Sequence, residues 1–217
     1  MRHNEGPLRE VTGAGREAEI VTAELAERQI GPGAGRERLR ATALELFTER
    51  GVSATSLQMI ADAMGVTKAA VYHHYKSKDE IVLAVVRPAL EQLMGLVRLA
   101  ESRRSRAAQV ETMIVGLADL IIANRRLYAL LQGDPTCTAI LQRYPEFPTL
   151  GERLVALLAG PDPDPGSVVA AGMLLAGLRG AGSDPRVMVL DDEEFRRYVV
   201  GCAHRLMRPR RPASATG

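Results

Sequence analysis

Lysine is nearly missing from this chain. Arginine outnumbers it 25 to 3 among 217 residues, which, with abundant alanine and glycine, reads as the codon usage of a high-G+C genome rather than as function. Cysteine is limited to Cys137 and Cys202, which suits a reducing cytosol and two structural thiols rather than a disulfide framework. No run of about 18 apolar residues occurs, so no membrane span is expected, and the N-terminus has no apolar signal-peptide core. There is no P-loop, no Gly-x-Ser-x-Gly and no Cys-x-x-Cys. The neighbouring His73 and His74 point about 100° apart on a helix, unlike the i, i+4 pair that holds a metal. No catalysis, cofactor or metal is expected, and the expected location is the cytoplasm. Strand signals and internal repeats are missing too. With 46% hydrophobic residues and a mean hydropathy of −0.05, an all-α globular chain of one or two domains is predicted. The net charge of +2 excludes nothing.

The few lysines are not scattered. Lys68, Lys76 and Lys78 all lie in TSLQMIADAMGVTKAAVYHHYKSKDE, residues 55–80, and no acid occurs between Ala63 and Lys78. Thr55 is predicted to N-cap a helix with Gln58 completing a capping box. Leu57, Ile60, Ala61 and Met64 give that helix one buried stripe, and Gly65 ends it. Thr67 opens a second helix over 68–75, and Ser77 a third, with Glu80 at the capping-box position. Upstream, Arg36–Arg50 sets Leu39, Ala43, Leu46 and Phe47 on one stripe, and Gly51 stops it. The pattern predicts a three-helix unit containing a helix-turn-helix.

On the second of those helices, Val71 and Tyr75 share a face and should enter the core with Ile60. Lys68, Ala69, Tyr72 and His73 lie on other faces. Small side chains at Ala69 and Ala70 let the helix approach base edges and thymine methyls. Lys68 can reach a guanine or a phosphate, and Tyr72 offers a hydroxyl to phosphate. Thr67, Lys78 and the helix N-termini behind Thr55 and Ser77 are expected phosphate contacts. Over 36–80 there are seven Arg/Lys against six Asp/Glu, so the case for DNA rests on local charge asymmetry.

Two segments, RERLRATALELFTERG and ATSLQMIADAMGVTKAAVYHHYKSKDEI, closely resemble the TetR family of bacterial transcription regulators over residues 36–83. The resemblance implies an all-α fold. A three-helix DNA-binding domain would span 36–82, followed by a helical ligand-binding and dimerisation domain over 83–208. It places Thr55, Thr67, Lys68, Ala69, Tyr72, His73, His74 and Lys78 at DNA-contact positions. The implied partners are a double-stranded DNA operator, a second copy of the chain and a small-molecule effector, with repression relieved when the effector binds. Residues 1–35 read as a mobile extension. Their four Arg against six Glu argue against a basic arm in the minor groove. Residues 209–217 read as a disordered tail.

Beyond residue 78 the sequence predicts further helices. One runs from Lys78 to about Glu101, kinked near Ala84–Pro88, and Arg103, Arg104 and Arg106 mark a solvated connection. Gln109–Gln132 reads as the longest clean helix. Thr136–Arg143 is a short one, and Pro145 and Pro148 bracket a turn. Leu150–Leu158, the small-residue stretch Gly166–Arg179 and Asp191–Met207 follow. The last has acids at its N-terminus and Arg205 and Arg208 at its end, as the helix dipole favours.

The last two helices together suggest a contact between subunits through Val169, Met173, Ala176, Phe195, Val199 and Cys202, the alternative being packing within one subunit. The helices over about 88–158 suggest a cavity lined by Leu93, Met94, Val97, Met113, Leu117, Leu120, Tyr128, Tyr144 and Phe147. For each of these residues plain core packing is the alternative, and the family resemblance is what raises a cavity above it. A methionine-rich, aromatic-poor wall suits a small or flexible apolar ligand. Asp119, Asn124 and Arg125 are candidates for its polar contact.

Overall fold

The computed structural model describes residues 33–144, 146–187 and 189–207. Most of the N-terminal extension, the C-terminal tail, Pro145 and Arg208 lie outside the described residues. Among the described residues all regular structure is helical, in ten α-helices.

The first helix, α1 (Ala34–Arg50), buries Leu39, Ala43 and Phe47, which recur every four residues. It stops at Gly51, where φ is 83° and the amide donates to the Phe47 carbonyl at 2.9 Å. Residues with a Cβ rarely adopt that backbone. Helix α2 (Leu57–Met64) buries Ile60 and Ala61 and ends at Gly65, with φ of 68°. The Arg38 guanidinium donates to the Met64 carbonyl at 3.3 Å. Helix α3 (Lys68–His74) buries Val71.

Helix α4 (Lys78–Glu101) is a single 24-residue element that continues through Pro88. It serves two hydrophobic clusters. Its first half gives Ile81, Val82, Val85 and Val86 to the cluster that holds Leu39, Phe47, Ile60 and Val71. Its second half gives Val97 and Ala100 to a cluster built with Met113, Ile114, Leu158, Leu174 and Phe195. Pro88 falls where the helix passes from one core to the other. Each fully buried Leu, Ile or Phe is worth about 1.5–3 kcal/mol, so both clusters contribute substantially to stability.

The helix expected over Gln109–Gln132 is two helices, α5 (Arg106–Ala123) and α6 (Arg125–Gly133). Asn124 makes the break. Its side-chain amide donates to the Leu120 carbonyl at 2.9 Å and to Gln92 Oε1 at 3.0 Å, so it competes with the backbone ladder. Arg106, expected in a solvated connection, instead opens α5. Its guanidinium donates to the Leu157 and Leu158 carbonyls, near the end of α8 (Glu146–Ala159), where positive charge is favoured. Helix α8 begins earlier than the prolines suggested, because Pro148 falls in its first turn, where an N–H has no partner within the helix.

The remaining elements are α7 (Pro135–Leu141), α9 (Pro165–Ala181) and α10 (Asp192–Leu206). Asp191 caps α10, accepting from the Glu194 amide at 2.8 Å. Helix α5 packs along α4 on one side and α10 on another, and α9 packs along α8.

Candidate nucleic-acid interface

Helix α3 is placed by its two ends and one buried residue. The Thr67 hydroxyl accepts from the Ala70 amide at 3.2 Å and opens the helix. Val71 is sealed in the core, and Tyr75 leaves the helix in extended backbone while packing against the same cluster. Thr67, Lys68, Ala69, Tyr72 and His73 are left exposed. Tyr72 is 40% exposed, and Lys68 Nζ sits 5.7 Å from its ring centroid. An exposed contact of that kind is worth about 0.5–1 kcal/mol, enough to bias the two side chains but not to withhold the lysine from a phosphate. His74 is half-buried, with its ring edge-on to His73 at 5.6 Å.

The three lysines do three different things. Lys68 lies on the outward face. Lys76 Nζ donates to the Tyr72 carbonyl at 2.8 Å and so closes the C-terminal end of α3. Lys78 Nζ donates to the carbonyls of Val52, Ser53 and Thr55 at 2.6, 3.1 and 3.1 Å. Lys78, expected to meet a phosphate, is half-buried and gives its ammonium to three loop carbonyls.

Thr55 is not the N-cap expected of it. It is 1% exposed, and its hydroxyl donates to the Gly51 carbonyl at 2.8 Å and the Leu46 carbonyl at 3.3 Å. Ser56 is the N-cap of α2, accepting from the Met59 amide at 3.1 Å, and Gln58 donates to Asp62 instead of reaching back. Ser77 caps α4 as expected, accepting from the Glu80 amide at 3.2 Å. The Glu80 carboxylate reaches one residue further back than a capping box requires, to the Lys76 amide at 2.7 Å.

Sequence reasoning missed Asp134. It is 8% exposed. Oδ1 caps α7, accepting from the Thr136 amide at 2.8 Å and the Cys137 amide at 3.3 Å. Oδ2 accepts from the Val52 amide, in the loop between α1 and α2. Burial pushes this carboxyl up, but the backbone donors of Val52, Thr136 and Cys137 outweigh it and hold the group below its usual value. Burial, with the Asp134 charge beside it, pushes the Cys137 thiol up to about 11. The Asp134-Pro135 pair is a helix-start signal, but nothing local marks the bond to Val52.

The proposed cavity residues fall in two places. Val97, Met113 and Leu117 are buried in the second cluster, with Leu93, Met94 and Tyr128 packed against it, and Leu120 is half-buried. Tyr144 and Phe147 pack instead against the first cluster, so the nine residues do not share one wall. Of the three polar candidates, Asp119 accepts from Arg196 at 2.6 Å on the surface, and Asn124 is bonded as described. The Arg125 guanidinium lies over the Phe195 ring at 4.9 Å and 2.9 Å from Asp192. The ion pair with Asp192 is made by Nη2, and Nε is buried without a hydrogen-bond acceptor.

Of the expected interface residues, Val169 and Met173 are each 59% exposed. Ala176 and Cys202 are also exposed, and Val199 is half-buried. Phe195 is corrected, because it is fully enclosed within its own subunit.

A family model described as "Bacterial regulatory proteins, tetR family" matches residues 39–85, the segment that builds α1 to α3 and the start of α4. Residues 39–85 thus form a TetR-family N-terminal domain. The curated relatives that match are transcription regulators. The transcriptional repressor KstR2 of Rhodococcus jostii (strain RHA1) is 31% identical over 115 residues, which is 52% of this chain and 56% of that protein. The transcriptional activator FasR of Mycolicibacterium smegmatis is 40% identical over 65 residues, 30% of each chain. The match to these curated relatives thus spans about half of their length or less. Among solved structures, ketosteroid transcriptional regulator KstR2 of Mycobacterium tuberculosis superposes with a TM-score of 0.61 at 21% identity, covering 77% of this chain and 93% of that one. A putative fatty acid metabolism regulator of Clostridium perfringens gives a TM-score of 0.64 at 15% identity, covering 78% and 96%. These likenesses extend the shared fold across the C-terminal helices, beyond residues 39–85.

Proposed function

We propose that this chain is a DNA-binding transcription regulator, a repressor that leaves a palindromic operator when a small apolar molecule binds its C-terminal body. The observation that carries the reading is the outward face of α3. Thr67, Lys68, Ala69, Tyr72 and His73 stand exposed together, and no carboxylate lies between Ala63 and Lys78 in sequence. His74 stays half-buried at the edge of that face. Small residues at the helix start admit base edges, and the flanking lysine and tyrosine hold phosphate.

One such helix reads few base pairs, so the operator is read by two copies whose α3 helices enter successive major grooves about 34–36 Å apart. The exposed Val169, Met173, Ala176 and Cys202 on α9 and α10 support pairing through that face. The effector site lies among α4, α5 and α6, near Leu93, Met94, Val97, Met113, Leu117, Leu120 and Tyr128. Arg125, with a buried Nε lacking an acceptor, is the polar group best suited to meet the effector. Repression, rather than activation, is favoured by the repressors among its relatives. The effector acts by preferring the dimer state whose α3 helices no longer match the grooves. A molecule that binds both states equally would shift nothing.

The test is a gel-shift competition between a palindromic operator selected by this protein and bulk DNA. Lys68→Ala combined with Tyr72→Ala should abolish specific binding and leave the fold intact. Specific binding retained by that double variant refutes the site. Binding to all sequences alike, governed by salt, refutes the regulator. An effector that binds the body without changing operator affinity refutes the switch.

A further inference from the structure

The loop joining α1 to α2 is hydrogen-bonded from two sides. Its carbonyls at Val52, Ser53 and Thr55 are taken by Lys78, the first residue of α4. Its Val52 amide is taken by Asp134, at the entrance to α7. Beside that bond the Ser53 and Thr136 hydroxyls are 2.7 Å apart. Gly51 precedes the bonded amide with φ of 83°, and a Cβ there would sit 3.2 Å from Asp134 Oδ2. The chain is therefore built to bring this carboxylate against the loop. Apart from the exposed Arg126–Glu45 and Arg143–Asp79 ion pairs, which solvent screens, the other contacts between the three-helix head and the body are apolar, through Leu127, Leu130, Cys137, Ile140 and Leu141. Apolar contact is non-directional, so it holds the head on the body without fixing its angle. The Asp134 bond is directional and sheltered from water.

We propose that Asp134 is a positioning residue for operator recognition: its bond to Val52 fixes the angle of the reading head on the body, and with it the spacing of the two α3 helices in the dimer. The proposal rests on the reading of the chain as a dimeric DNA-binding regulator. It also gives the effector a route, since movement of α6 and α7 is passed to the head through Val52.

The two carboxylate oxygens have separate duties, which makes the test selective. Asp134→Asn keeps one oxygen, so it can still cap α7, for which asparagine serves well. It puts an amide NH2 against the Val52 N–H, where no hydrogen bond forms. Full-length wild type and variant are compared on two duplexes, the palindrome that wild type selects from a random pool and a single half-site cut from it. Asp134→Asn should fold, melting below wild type because the Val52 N–H loses its acceptor, and bind the half-site as wild type does. It should bind the full palindrome about tenfold more weakly, within the 5–150-fold span usual for coupling between sites.

Equal binding of the palindrome by both proteins overturns the proposal. So does an equal loss on both duplexes, which is what a purely structural role gives. If Asp134→Asn does not fold, Ser53→Ala with Thr136→Ala removes the neighbouring link and should lower palindrome binding alone, by a smaller factor. An unchanged palindrome affinity in that variant overturns the proposal equally. A selection that returns no duplex defeats the regulator reading, and the proposal falls with it.

Discussion

Lys78 Nζ lies 2.6 Å from the carbonyl oxygen of Val52 and also reaches two further carbonyls of the same loop. A lysine in the first turn of a helix is opposed by the helix dipole. Its retention there is explained by the three acceptors. Lys68, two turns of chain away on α3, has no such duty.

The two lysines should therefore fail in opposite ways. Lys78→Met keeps the aliphatic stem and removes the donors. It should cost about 2 kcal/mol of stability, since hydrogen bonds to charged groups contribute about 1.5–3 kcal/mol. Lys68→Met should cost no more than about 1 kcal/mol of stability, from its contact with Tyr72, and weaken operator binding. Urea denaturation and gel shifts on both variants check this, and the reverse pattern would show the assignments to be exchanged.

Asp134 ties stability to pH on the acid side. Its folded carboxyl is held below the usual value, so it favours the ionised form in the native state. That contribution is fully present above the unfolded carboxylate pKa, near 4, and is lost as pH falls through the lower folded value. Denaturation midpoints measured from pH 7 down to pH 3 should show an acid slope that is shallower in Asp134→Ala. Parallel profiles would remove Asp134 from the acid response.

The two thiols should react very differently. Cys137 is buried, with its thiol raised to about 11, so it should resist a thiol reagent until the protein is denatured. Cys202 is exposed on one subunit but lies on the face proposed to pair. Its labelling should slow as protein concentration rises and dimers form. A labelling rate independent of concentration would move the interface away from Cys202.

Core and interface are separable on α9 and α10. Phe195→Ala should cost about 3–5 kcal/mol, as loss of a buried aromatic does. Met173→Asp, at an exposed position, should leave the melting temperature of the subunit nearly unchanged and shift gel filtration toward monomer. A Met173→Asp protein that remains a dimer would place the contact elsewhere.

What the sequence made legible was local. Gly51, Gly65, Thr67, Ser77, Val71 and the α1 stripe could be read because caps, stops and helical spacing act within a few residues. Thr55 was misread because Thr55 and Ser56 both offer an N-cap, and only the carbonyls at the end of α1 decide between them. The break at Asn124 was hidden because its effect depends on where its amide points. Phe195 was misplaced because an apolar residue on an amphipathic helix does not announce which partner covers it. Asp134 was invisible as a site because its partner, Val52, is 82 residues away. The C-terminal helices were legible as helices, but their chemistry was not.

The first hydrophobic cluster is closed by Leu127 and Leu130 from α6 and by Ile140 and Leu141 from α7. A fragment cut after residue 82 would leave Phe47 and Ile60 with one wall of their enclosure gone. Recombination that traded this head for a cousin's at that boundary would inherit half a core. The heritable unit here is discontinuous: the first three helices travel safely only together with a pair that lies some forty residues downstream.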